Sequence, residues 1–192
     1  MQTSSSQIPG KRDLSISMLE ANLRSLVFGI APVFFFALLF WLCWGGKGAR
    51  QSFEGLPGGI VVFLVLLVIG IVSHEAIHGL SWAAFGKKPL GSISFGFNLK
   101  ALTPFAHINE PLEVQAYRIG TAMPAVVLGF IPCVLGVILG QAMVMGFGLV
   151  FVAAAGGDLL ILWLIRKVPA GTLVEDHPTR AGCYLLEPGE NR

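Results

Sequence analysis

Two histidines four residues apart, His74 and His78, enclose a glutamate in the run Ser73-His74-Glu75-Ala76-Ile77-His78-Gly79. On a helix that spacing sets both imidazoles on one face about one turn, ~6 Å, apart along the axis, which suits two ligands of a single zinc ion. Glu75 is rotated by ~100° from His74, so its carboxylate stands beside such an ion as general base toward a bound water. The chemistry these residue types point to is metal-assisted peptide hydrolysis. The pattern is short, yet the chain has four His and eight Glu. Random placement would produce it in roughly three of a thousand such sequences.

A zinc site needs at least a third protein ligand. The candidates are Asp158, His107, Asp176, His177 and scattered glutamates. Helix geometry separates them by depth. His78 precedes the basic helix end at Lys87 by ~13 Å and Asp158 precedes Arg166 by ~12 Å, so the two lie level. Asp158 also follows Ala154-Ala155-Gly156-Gly157, small residues that let another helix approach closely. It is the expected third ligand. His107 is an alternative ligand, or a residue that orients substrate or stabilises an oxyanion. His177, in Glu175-Asp176-His177-Pro178, reads as a surface turn residue with Asp176. The plainer alternative for the whole group is a set of interhelical hydrogen bonds without metal.

These residues must be positioned by membrane helices. Hydrophobic residues make up 54% of the 192-residue chain and charged residues only 12%, against ~25% charged in an average soluble domain. The excess lies in apolar runs near the ~20 residues a helix needs to cross the hydrocarbon core. Four membrane helices fit, at about 24–44, 58–86, 117–140 and 143–165, the last two forming a hairpin over a Gly/Met-rich turn. Pro124 and Pro132 are expected to kink the third. The first apolar run exceeds a signal-peptide core, and Trp44-Gly45-Gly46-Lys47 offers no cleavage site, so it reads as a retained helix. Three ionisable residues in five positions of such a helix cost ~2.5–3.5 kcal/mol each unless a function compensates, and metal coordination is one.

Basic flanks set the orientation. Lys11, Arg12, Arg24, Lys87, Lys88, Lys100, Arg118, Arg166 and Lys167 fall on one side, Lys47 and Arg50 on the other, which predicts both termini in the cytoplasm. The expected organisation is a polar segment 1–23, a membrane metalloprotease-like region 24–168 and a cytoplasmic tail 169–192. A net charge of +2 spread over helix ends gives no basic stripe, so nucleic acid is not an implied partner. Cys43, Cys133 and Cys183 are isolated and form no Cys-x-x-Cys motif.

Between the second and third helices, Ile93, Phe95, Phe97 and Leu99 alternate with Ser94, Gly96, Asn98 and Lys100. Period two predicts a half-buried β-strand or hairpin within an otherwise all-α membrane protein. Gly96 would mark a bulge or a close backbone approach. Such a strand could bind an extended substrate by addition, with Gly96 and Asn98 as contact residues.

On Ser73 to Gly79, Pro104 to Pro111 with His107, Met123-Pro124 through Pro132, Gly156-Gly157-Asp158-Leu159 and Asp176-His177-Pro178 with Gly182, the chain resembles a family of small integral-membrane zincin-type peptidases carrying a domain of unknown function. The likeness covers about residues 58–188. That family is distantly similar to site-2 proteases, in which His-Glu-x-x-His on one membrane helix is completed by an Asp on a later one. The resemblance implies zinc held by His74, His78 and Asp158, with Glu75 catalytic. The Asn-Pro-x-Asp-Gly form of the later motif is not present here.

The expected function is therefore a membrane-embedded zinc metalloprotease acting on peptides or membrane proteins in the bilayer. The alternative is a metal-binding multi-pass membrane protein with a regulatory, transport or assembly role. A transporter would carry inverted repeats with paired broken helices, and a di-iron oxidase a second Glu-x-x-His pair. The sequence contains neither.

Overall fold

The computed structural model describes residues 10–54, 59–98 and 103–186. Six α-helices carry the frame: α1 (Met18–Glu54), α2 (Gly59–Gly86), α3 (Val114–Pro124), α4 (Ile131–Leu139), α5 (Ala142–Ala154) and α6 (Gly156–Leu164). Three stretches, Met18–Gly46, Gly59–Gly86 and Val114–Leu139, are long and apolar enough to cross a membrane; α5 and α6, bent by 45°, make a fourth if counted as one span. Within its most apolar window α2 has only 11% of residues buried inside the protein. The remaining surface, with Val61, Leu64, Val65, Val68 and Val72 exposed, suits an apolar solvent and not water.

The span limits differ from expectation in two places. The first helix starts at Met18, six residues early, and loses helical geometry at Gly45 (φ 59°, ψ −167°). The expected continuous helix over 143–165 is two helices, because the run changes direction at Ala155. The proline effect in the third span takes the form of a π-helical turn, Ala125–Phe130, between α3 and α4, with Pro124 before it and Pro132 in the first turn of α4. Proline has no N–H to donate and its ring crowds the preceding turn, so a wider turn relieves both.

The segment after α2 forms a hairpin of β2 (Ile93–Asn98) and β3 (Thr103–Ile108). Its register runs unbroken from Ile93↔Ile108 to Asn98↔Thr103, so no bulge occurs at Gly96. Gly96 faces Phe105, and the close neighbour is that ring, not a backbone. One face is apolar: Ile93 and Phe95 seat on α2 at Gly79, while the outer parts of Phe95 and Phe97 are exposed. Lys88 at the end of α2 pins the hairpin's base through a 2.8 Å ion pair to Glu110, which also accepts from the Ser92 hydroxyl. The Lys88 hydrogen bond is the main cause that holds the Glu110 carboxyl below the ordinary range.

A second, four-stranded antiparallel sheet in the order β1-β6-β5-β4 was not anticipated. It joins β1 (Lys11–Asp13), β4 (Leu112–Glu113), β5 (Leu173–Asp176) and β6 (Cys183–Leu186). The polar start and the tail are thus one structure, since Lys11 to Asp13 pair with Leu186 to Tyr184. Val174, Cys183 and Leu185 turn inward from the sheet onto Trp82, Ile108, Leu112, Tyr117 and Ile165. This core fastens the ends of α2, α3 and α6 beneath the sheet. Cys183, expected in a polar tail, is fully buried in it, and burial pushes its thiol up to about 12.

Candidate metal centre

His74 and His78 lie one turn apart on α2, with ring centroids separated by 4.9 Å and planes at 77°. Asp158 occupies the first turn of α6, directly after the bend at Ala155. The small residues before it admit a neighbour as the sequence suggested: a Cβ on Gly156 would stand 2.5 Å from the Ser25 carbonyl of α1. In this arrangement His74 Nε2 is 3.2 Å from Asp158 Oδ2 and His78 Nε2 is 3.4 Å from Asp158 Oδ1. One potential ligand atom from each of the three residues lies within 4.8 Å of the others.

The surroundings fix these groups. His78 Nδ1 is 2.9 Å from the Gly120 carbonyl. As the donor to that carbonyl, Nδ1 carries a proton and leaves Nε2 to face Asp158. The ring also stacks on Trp82 at 5.2 Å and 17°, and Trp82 on Tyr117 at 5.7 Å and 8°. The Trp82 indole N–H donates to the Tyr117 carbonyl at 3.2 Å. On the other side His74 lies along Phe151, with centroids 6.4 Å apart. Its Nδ1 is buried without a hydrogen-bond partner among the described residues.

The donor set suits a metal ion. With Nδ1 committed to Gly120, Nε2 meets the Asp158 oxygens either as the second N–H of a charged ring or as a lone pair toward a cation held between them. Two imidazoles and one carboxylate are the ligands zinc takes in catalytic sites, with a fourth position left open. All three side chains are largely shielded, with exposures of 12%, 7% and 17% for His74, His78 and Asp158. A bound ion would therefore be held away from bulk water.

Glu75 lines the same inner cavity, of about 350 Å³. Its Oε2 accepts a 2.7 Å hydrogen bond from the Ala106 amide of β3. In the ladder the amide of Asn109 bonds Ser92, so residues 109, 107, 105 and 103 point their amides inward and Ala106 points outward. It is the free edge of β3, not β2, that faces the glutamate.

His107 does not join the His74, His78 and Asp158 group. Its Nδ1 pairs with Asp176 Oδ2 at 2.6 Å, and Asp176 Oδ1 accepts the Tyr117 hydroxyl at 2.9 Å. The Asp176 hydrogen bond is the main cause that raises the His107 pKa. His107 lines a second, outer cavity of about 480 Å³, and Asp176 lines both cavities. Asp176 was weighed from sequence as a ligand and then as part of a surface turn, and its pairing with His107 is what sequence reasoning missed. No spacing signal ties it to a histidine 69 positions earlier.

His177 is not on the surface, being 9% exposed. Its Nδ1 accepts the amides of Thr179 and Arg180 at 3.1 and 3.0 Å, and Nε2 lies 2.9 Å from the Tyr184 hydroxyl. Burial is the first cause of its lowered pKa, in keeping with a neutral ring that accepts at Nδ1. Gly96 lines neither cavity. Asn98 pairs with Thr103 through the backbone, and the contact role expected of its side chain lies outside the described residues.

A family model described as "Putative zincin peptidase" matches residues 60–173. The chain belongs to this family. The matched span contains His74, Glu75, His78, His107 and Asp158, and ends before Asp176 and β6. Membership implies zinc, and His74, His78 and Asp158 are a group that could bind it. Comparison with curated proteins and with solved structures gives no match.

Proposed function

We propose that this chain is a membrane-embedded zinc metallopeptidase, with His74, His78 and Asp158 as metal ligands and Glu75 as general base. The observation that carries the reading is the convergence of three potential ligand atoms within 4.8 Å beside Glu75, in a cavity bounded by apolar helices. When bound there, zinc would acidify a coordinated water and polarise the scissile carbonyl. Glu75 takes the proton of the attacking water and returns it to the leaving amine. The Ala106 amide holds that carboxylate at one orientation, which saves the cost of ordering it during the reaction.

His78 is kept in its Nε2-ligating tautomer by Gly120 and kept from turning by Trp82. An extended substrate adds along the outer edge of β3, whose backbone passes Glu75; Gly96 and Asn98, on the far strand, stand back from this edge. His107, held by Asp176, stands at the cavity mouth to orient substrate. The helix ends bearing Lys87, Lys88, Arg118, Arg166 and Lys167 face the cytoplasm together with the paired terminal strands. On this reading the His-His-Asp arrangement parallels that of the site-2 proteases.

Metal content of the purified protein tests the proposal. Zinc is expected in wild type and in Glu75→Gln, and lost in His74→Ala and Asp158→Ala, with peptidase activity lost in all three variants. Zinc retained without turnover in wild type favours the metal-binding alternative. A zinc-free wild type under non-chelating conditions sinks both.

A further inference from the structure

The two cavities adjoin, and what lines their junction says how substrate arrives. Met18, Phe105, Ala106, Ile161 and Asp176 line both. Beyond this junction, the outer cavity is walled by Ser94 and His107 from the polar face of the hairpin and by the turn from His177 to Gly182. From the helices it takes only Met18, at the very start of α1, and Ile161, late in α6. No mid-span helical face contributes among the described residues. The passage therefore leads toward the sheet, the polar end of the molecule, where Thr179 and Arg180 are exposed.

The hairpin's two faces divide this route from the apolar surroundings. Ser94, Phe105 and His107 turn to the outer cavity, while Phe95 and Phe97 are on the opposite face and exposed. An intact helix pairs its own backbone amides and has no use for such polar walls. An extended chain is narrower and brings unpaired amides that polar walls and a strand edge can satisfy.

We infer, resting on the peptidase reading above, that the substrates are extended peptide segments delivered through the outer cavity from the water side, and not intact helices entering from lipid. The mouth is the space between the hairpin's polar face and the 177–182 turn. The end of a chain or an unwound segment next to a membrane span has the required form.

Two measurements test this in liposome-reconstituted protein. A reporter Thr121→Cys, at a buried residue that lines the inner cavity, is placed in a Cys43→Ser background, since Cys43 is exposed and the other two cysteines are buried. A charged, water-soluble maleimide should label the reporter, and Thr179→Trp, at an exposed mouth residue, should slow labelling at least tenfold without changing zinc content. Labelling only by a lipid-partitioning maleimide, or indifference to Thr179→Trp, overturns the route. Ile161→Cys, half-buried at the junction of the two cavities, is the second reporter should Thr121→Cys not fold.

The zinc-loaded protein is then given an unstructured soluble peptide pool and, separately, a single-span helix in the same bilayer. Cleavage of the pool, slowed at least tenfold by Thr179→Trp, is the expected result. Cleavage of the helix alone, unaffected by Thr179→Trp, overturns the substrate class and leaves the peptidase reading standing. Cleavage of neither sinks the peptidase reading and the substrate class with it, while the labelling rates still decide the route.

Discussion

The amide of Ala106 reaches out from the free edge of β3 and holds the carboxylate of Glu75 at 2.7 Å. The residue between the two histidines is thereby tied to a strand 31 positions later, and the hairpin is tied to the site. A backbone donor cannot be removed by changing a side chain, except by proline.

Ala106→Pro removes this one hydrogen bond. The Ala106 N–H is not used in the ladder, and Pro104 already sits two residues earlier on the same edge, where proline is tolerated. A hydrogen bond to a charged group contributes ~1.5–3 kcal/mol. The expected outcome is zinc content unchanged and kcat/KM lowered by roughly 10- to 100-fold, with Ala106→Gly close to wild type. Equal kinetics in the proline variant would show that the tie does not orient Glu75.

Gly120→Ala strikes the support of His78. A Cβ there would fall on the Trp82 indole, and overpacking a filled site costs ~1–3 kcal/mol. Because the Gly120 carbonyl fixes the His78 ring, zinc affinity should also drop by roughly 10- to 100-fold, the usual scale for the partners of metal ligands. Titration with a competing chelator measures it; unchanged affinity would separate Gly120 from the metal site.

Metal should stabilise the fold through three segments at once, since the proposed ligands come from α2 and α6 and the carbonyl that holds His78 comes from α3. Zinc at 1,000 times its Kd adds ~4 kcal/mol, visible as a higher Tm that falls on chelation. In His74→Ala and Asp158→Ala the melting curve should ignore both zinc and chelator.

His107 and Asp176 give a pH dependence of known sign. The pKa of His107 is raised in the folded protein, chiefly by the Asp176 hydrogen bond. The pair therefore stabilises fully below the unfolded value of ~6.5, and its contribution is lost as pH rises through the raised folded value. With the His107 side chain 27% exposed, the effect is about 1 kcal/mol or less. The Tm difference between wild type and Asp176→Asn should be widest below pH ~6.5 and close on the alkaline side. A gap that widens with pH would contradict the pairing.

The helical frame and the residues of the centre were legible because their signals are local and strong. An unbroken apolar run near 20 residues matches the thickness of the hydrocarbon core, a length that few elements of a water-soluble domain need, and His74, Glu75 and His78 are read within one helical turn. Asp158 could be matched by counting back from the basic helix ends, a depth rule that the 3.4 Å approach to His78 reflects. The bend at Ala155 left no comparable mark, since the same small residues also fit a straight helix. Least legible was the four-stranded sheet. Its strands have two to four residues each, too few to show a period, and their partners are remote in sequence. Asp176 was hidden with them, its role set by Tyr117 and His107 on other elements.

The pairing of β1 with β6 joins residues about 170 positions apart. At 5–20 residues per second, roughly 10 to 30 s of synthesis separates the two strands. Over that interval α1 to α5 emerge in turn, both histidines before its middle and Asp158 near its end. The wall that bears Asp176 and the 177–182 turn comes last, so the nascent protein passes through a stage in which His74, His78 and Asp158 are all made but the sheet beside them is not.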